Sequence, residues 1–232
     1  MRIRLLKQDI AGFSLLELLV GITILGALAS FLIPAVASSR EKSLRSTCME
    51  RMKNLGMGIQ LYTQDHDGEF PRSSHSASTY RESGWTESVL PYLNIPLPSS
   101  TEGWQQVVNQ YHRCPSDRRH GPYDFSYGLN VYFELDPEGD DYLGSPTQWR
   151  KTIAIPKLSR TILLAELPET EGADHFMCHQ WSNIRGASNA VAAGRHKGRA
   201  NYLFADGHIE AMALSQTFIS RTNNLWNPSV AR

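Results

Sequence analysis

Apolar residues are spread very unevenly along this chain. From Leu18 to Ala37 no residue carries a charge. As a helix that run spans about 30 Å, the thickness of a bilayer's hydrocarbon core. Ahead of it lies MRIRLLKQDIAG, with Arg2, Arg4 and Lys7 against Asp9. Such a basic flank stays cytoplasmic and sends the rest of the chain outward. A second run of this kind is not found, so the pattern predicts a single crossing.

Beyond the apolar run the pattern narrows to a stripe. Leu44, Cys48, Met52, Leu55, Ile59 and Tyr62 recur every three or four residues, the spacing of one helix face. Arg40, Glu41, Arg45, Lys53 and Gln64 lie off that face, and Glu41–Arg45 is an i,i+4 pair. One helix is therefore expected from about Phe13 to about His66. Gly68 supplies a left-handed cap and Pro71 follows. Gly21, Gly26 and Pro34 make the first half pliable, and a kink or local melting is expected at Pro34. Asp65-His66-Asp67-Gly68-Glu69 does not fit a calcium loop. With its glycine at Gly68, such a loop would begin at Thr63 and need a glutamate where Ser74 stands.

After Pro71 the chain turns short-patterned. Residues 73–83 are polar and read as a loop, and 85–93 as a short helix. Ser100 caps a helix running to Gln110. Residues 127–134 and 161–165 read as strands, the second fully buried. The clearest local signal is Asn201-Tyr202-Leu203-Phe204-Ala205-Asp206-Gly207-His208-Ile209-Glu210-Ala211-Met212. Asp-Gly between apolar runs predicts a tight hairpin. With Asp206 and Gly207 central, Phe204 opposes Ile209 and Tyr202 opposes Ala211, on a face that covers the stem helix.

Composition changes this picture little. Lys+Arg and Asp+Glu both number 23, so the formal net charge is zero, and no basic surface for nucleic acid is indicated. A mean hydropathy of −0.35 excludes a polytopic membrane protein. The three cysteines, Cys48, Cys114 and Cys178, suggest one disulfide and one leftover thiol in an oxidising compartment. Cys48 lies on the inward stripe, so Cys48–Cys114 is the favoured pair. A pair involving Cys178 and three free thiols are the alternatives.

A secretory signal peptide cut after Ala35-Val36-Ala37 is the plain alternative for the N-terminus. The apolar run is too long for one, and Glu17 near its start is costly unless paired. Gly12-Phe13-Ser14-Leu15-Leu16-Glu17-Leu18-Leu19-Val20 resembles the processing motif of type IV pilins and type II secretion pseudopilins. The resemblance implies cleavage between Gly12 and Phe13 by a prepilin peptidase, and methylation of the Phe13 amine. It also implies assembly with other pilin or pseudopilin subunits through an inner-membrane platform. Glu17 would then pair with the Phe13 amine of a neighbouring subunit. Such a head-to-tail contact does not close, so it generates a filament. Pro34 falls where these helices often carry one. Removing the leader takes three basic residues and one acidic one, leaving a net charge of −2. That gives no strong drive toward DNA.

A second likeness lies further along. Arg195-His196, then nine residues, then Asp206-Gly207 resembles the His-X9-Asp-Gly element of a prepilin-processing-associated family. Cys114-Pro115-Ser116-Asp117 and Ser126-Tyr127-Gly128-Leu129-Asn130 also resemble recurring elements of that group. The plain reading is adopted for the residues themselves: Asp206 makes the turn, His196 bonds nearby backbone, and His208 is exposed at the hairpin end. No hydrolase elbow, phosphate loop or zinc helix is present. No catalytic residue, metal or cofactor is therefore assigned. Asp136, Glu138 and Asp140 read as a solvated acidic loop, with calcium as the second reading.

The sequence thus predicts an α+β, pilin-like fold. A long N-terminal helix, half transmembrane and half packed, lies on an antiparallel sheet with long loops. The expected parts are a leader (1–12), a transmembrane assembly half (13–37), an amphipathic half (38–68) and a globular body (69–232). The expected protein is an inner-membrane, single-pass structural subunit with its body in the periplasm. Two alternatives stand beside it. One is an anchored glycan-binding module using Trp85, Trp104, Trp149, Trp181 and Trp226. The other is a periplasmic hydrolase using His196 and Asp206.

Overall fold

Helix α1 runs from Leu15 to Asp65. The computed structural model describes residues 14–134, 149–170 and 172–231. Gly12, Phe13, Asp136, Glu138 and Asp140 lie outside them. The chain divides into two compact units, Met1–Ser43 and Leu44–Arg232.

In the first unit the helix is uncharged on every side from Leu18 to Ala37. Leu15, Leu25, Phe31 and Ile33 are all well exposed, and the segment is long and apolar enough to cross a membrane. The helix continues without a break through Pro34, so of the two expectations there the local melting is not found. A proline removes one N–H from the ladder, and the remaining bonds of a long helix carry it past that gap.

In the second unit α1 becomes one-sided, as its stripe predicts. Cys48, Met52, Leu55 and Ile59 are fully buried. Each such burial contributes roughly 2 kcal/mol. Gly56 and Gly58 are buried too, and a Cβ on Gly56 would stand 2.6 Å from Leu203 Cδ2. The helix ends with Asp67 and Gly68 at positive φ and a Gly68 N–H to Thr63 C=O bond.

Residues 73–83, expected as a loop, contain helix α2 (Ser74–Tyr80). Ser73 and Ser76 are buried, and carboxylates satisfy the serines at this helix start. Ser73 and Ser76 hydroxyls donate to Glu134 at 2.5 and 2.6 Å, and Ser74 donates to Asp174 at 2.7 Å. Helices α3 (Trp85–Ser88) and α4 (Thr101–Val107) follow, the latter capped by Ser100 as expected.

The main sheet contains β1 (Tyr127–Asn130), β2 (Ile162–Glu166), β3 (His175–Phe176), β4 (Ala200–Phe204) and β5 (Ile209–Met212). Its order is β3-β1-β2-β4-β5, antiparallel except for the β1–β3 pair. Alternation sorts the side chains by face. Tyr127, Leu129 and Leu203 join the cluster built on α1. Ala200, Tyr202 and Phe204 join a second cluster with Phe176, Trp181 and Trp226. A register shift between Ile162 and Leu164 lets Leu163 and Leu164 both meet the α1 cluster. The chain closes with α5 (Ile184–Ala190), α6 (Leu214–Thr217) and the small pair β6 (Phe218–Ser220) and β7 (Asn223–Asn224).

The hairpin forms one register step from the expected one. Leu203 faces Ile209 and Tyr202 faces Glu210. The loop holds three residues, Ala205 to Gly207, closed by Phe204 N–H to His208 C=O at 2.9 Å. A one-residue slip exchanges the two faces of a strand. Leu203, not Tyr202 and Phe204, therefore covers the stem helix. The tryptophans required by a glycan-binding face are mostly internal: Trp85, Trp104, Trp181 and Trp226 are buried and Trp149 is half-buried.

Candidate functional site

Two places carry residues whose chemistry exceeds packing. The first is the start of α1. Ser14 N–H donates to Glu17 Oε2 at 3.0 Å, and Glu17 N–H donates to Ser14 Oγ at 3.1 Å. This reciprocal pair satisfies donors that a helix start leaves open. The Ser-x-x-Glu spacing signals it, and the sequence reading passed over it while weighing Glu17 alone.

The second place is a buried polar centre in the second unit. Four segments far apart in the chain meet there. Cys48 comes from α1, Cys114 from the loop after α4, Glu166 from the end of β2 and His196 from the turn before β4. Their ligating atoms all lie within 4.8 Å of one another, and all four residues are buried. Cys48 Sγ donates to Glu166 Oε1 at 2.9 Å. His196 Nε2 stands 3.1 Å from the same oxygen and 3.4 Å from Cys114 Sγ. Glu166 Oε2 accepts the Asn201 N–H at 2.7 Å, and Tyr127 donates its hydroxyl to Cys48 Sγ at 3.3 Å.

Local structure explains how His196 arrives. His196 and Arg199 exchange backbone hydrogen bonds across Lys197 and Gly198, both at positive φ. That tight turn feeds β4, which ends at the Asp206-Gly207 turn. There Lys53 of α1 donates to Gly207 C=O at 2.6 Å. The His-X9-Asp-Gly spacing thus measures one strand between two turns, each meeting α1. Cys48 marks one end and Lys53 the other.

Charge is organised around this centre. Asp117 is buried and bonded to Arg119 and Ser126, with Arg195 3.4 Å away. Burial disfavours the Asp117 carboxylate, but the Arg119 and Ser126 bonds prevail and lower its pKa. Burial likewise opposes ionisation of Glu166, and the His196 and Arg195 charges overcome it, lowering its pKa. Burial works against a charged His196, yet its bonds to Cys114 and Glu166 raise it to about 10. The hydrogen bond from Cys48, followed by that from His196, lowers Cys114 to about 6 against its burial. Cys48 itself is raised, first by burial and then by Cys114 and Glu166. The centre favours a thiolate–imidazolium pair beside a carboxylate.

The sequence-expected residues fare differently. Cys48 and Cys114 are brought together, but as free thiols rather than as the expected disulfide. Cys178 is also free, and donates to Asn130 Oδ1 at 2.8 Å. His196 does not serve only nearby backbone: its ring bonds Glu166 and Cys114. Asp206 makes the turn as expected, accepting from His208 N–H at 3.1 Å, and lies 2.6 Å from His208 Nδ1. His196 and Asp206 therefore belong to separate hydrogen-bond groups, and the pair required by the hydrolase reading is not assembled. Glu166 was missed because a carboxylate ending a buried apolar strand leaves no motif. Neither cysteine has a nearby cysteine or histidine at metal-site spacing. All four groups are shielded from solvent.

Comparison with known families gives one match. The model of the prokaryotic N-terminal methylation motif matches residues 7–33. The chain carries a prepilin-type N-terminal methylation motif, in keeping with a type IV prepilin- or pseudopilin-like protein. That motif implies processing by a prepilin peptidase and assembly with pilin subunits, and it favours a structural subunit over an enzyme. No curated protein and no solved structure matches the chain.

Proposed function

We propose that this chain is a structural, pseudopilin-like subunit of a type II secretion pseudopilus or a related type IV pilus-like filament. It is cut after Gly12, methylated at Phe13 and assembled from the inner membrane by the platform that builds such filaments. Its body then lies in the periplasm. The single observation that carries this reading is the methylation motif over residues 7–33. The bare apolar half of α1 supports it, because that surface requires lipid or other subunits around it. Cleavage would place a positive amine at Phe13 in low dielectric. Glu17 of an adjacent subunit supplies the opposite charge.

The test is the mature N-terminus of the chain expressed in its native membrane, read by intact mass and terminal peptide sequencing. A methylated Phe13 start is expected. A start at Ser38 would mean a released, exported protein and would overturn the filament reading.

A further inference from the structure

The geometry points to a structural zinc site, or one for a similar thiophilic divalent ion, formed by Cys48, Cys114, Glu166 and His196. This goes beyond the filament reading and does not depend on it.

The donor set comes first. Two sulfurs, one imidazole nitrogen and one carboxylate oxygen are a combination that zinc accepts in closed, four-coordinate sites. Calcium and magnesium prefer oxygen donors, so this set does not suit them. Distance comes next. Zinc bonds of about 2.3 Å to sulfur and about 2.0–2.2 Å to nitrogen or oxygen imply tetrahedral edges of roughly 3.3–3.8 Å. Three of the six edges are 2.9 Å (Cys48–Glu166), 3.1 Å (His196–Glu166) and 3.4 Å (Cys114–His196), and the other three lie within 4.8 Å. An ion entering the centre replaces these hydrogen bonds, and the three short edges lengthen by up to about half an ångström or a little more.

Charge also balances. One divalent cation displaces two protons as both cysteines bind as thiolates and the imidazole binds neutral. The net charge of the buried centre is unchanged, with Arg195 Nη1 3.8 Å from Glu166 Oε1. The surroundings are built to orient ligands. Glu166 is fixed by the Asn201 N–H, Cys48 by the Tyr127 hydroxyl, and Arg195 by Leu167 C=O at 2.6 Å. A Cys48–Cys114 disulfide would use two of the four groups and leave the convergence of Glu166 and His196 unexplained. Bound metal would fasten the stem helix to one end of the sheet's central strands, where β2 finishes and β4 begins.

The test uses the full chain in detergent micelles, reduced and stripped of metal, then titrated with Co²⁺ and with Zn²⁺. One cobalt per chain is expected, with thiolate-to-cobalt charge transfer, ligand-field bands of tetrahedral intensity, and displacement by zinc. Zinc should also raise the melting temperature followed by tryptophan fluorescence. Cys178→Ser should leave the spectrum intact, and Cys114→Ser should remove much of the charge transfer. Glu166→Gln keeps volume and should weaken affinity at least about tenfold, the loss that even an outer partner's removal brings. Three results would each overturn the site. One is a folded, reduced wild-type chain that takes up no metal. Another is binding that survives Cys114→Ser with its charge transfer unchanged. The third is a natively exported chain isolated without reductant in which Cys48 and Cys114 are already disulfide-bonded. The wild-type titration decides even if a variant fails to fold.

Discussion

The two halves of α1 share residue types and differ in almost everything else. Leu25 is 67% exposed and Leu55 is fully buried. Around Leu25 every face of the helix is uncharged, so its own chain offers no charge to separate it from lipid or from other subunits. Around Leu55 the apolar residues keep to one face, where a sheet and its aromatic neighbours cover them. An apolar side chain therefore has no fixed role. The width of the stripe decides whether its partner comes from the same chain or from outside it.

The sharpest way to break that comparison is at the helix start. Glu17→Leu should abolish recovery of the chain in filaments or crosslinked subunit ladders, an all-or-none effect. The body's melting should stay unchanged, since Glu17 lies in the other unit. Filaments that form normally from this variant would remove Glu17 from assembly.

Next comes a matched truncation. Leu55→Ala should destabilise the body by about 2–5 kcal/mol, because it leaves a cavity in a closed cluster. Leu25→Ala should leave the body's melting in detergent unchanged. All five tryptophans lie beyond residue 84, so their fluorescence reports the body alone. Equal losses in both variants would show that the two halves are not energetically separate.

Acid should sharpen the contrast further. Leu18 to Ala37 holds no titratable side chain, whereas His112 is buried among Trp85, Trp104 and Phe125. Burial, the largest cause, lowers His112 to about 4 from 6.5. Between those values the unfolded chain binds the proton and the folded chain does not. Stability is therefore full above about pH 6.5 and falls as the pH drops toward about 4, by up to ~3 kcal/mol. The measurement is melting temperature against pH over that window. His112→Phe should flatten it, and an unchanged slope would clear His112 of the effect.

The smallest effect belongs to the hairpin turn. Gly207 has φ +89°, and a Cβ there would stand 2.3 Å from Gln60 Nε2. Gly207→Ala should cost about 1–2 kcal/mol from the backbone alone. Urea unfolding midpoints would detect it, and a neutral result would mean that the turn relaxes away from α1.

Much of this molecule can be read locally. The basic leader, the uncharged run and Glu17 announce the N-terminal motif because membrane insertion and peptidase recognition both act on a short contiguous segment. The stripe from Cys48 to Ile59 and the Gly68 cap define the packed helix because helical periodicity is a nearest-neighbour property. Asp206-Gly207 marks its turn for the same reason. Residues 73–83 could not be read so. Their helix depends on Glu134, which satisfies buried Ser73 and Ser76, and on Asp174, which accepts from Ser74, both far along the chain.

Register and convergence were decided only in three dimensions. The three-residue loop sets which face of β4 meets α1, and a single step exchanges Leu203 for Tyr202 and Phe204. The Cys48–Cys114–Glu166–His196 centre is the extreme case. Its members are separated by tens of residues, and no local spacing connects them. Only the packing of a helix across a sheet brings sulfur, carboxylate and imidazole within reach, because burial places side chains by distance in space and not by position in sequence.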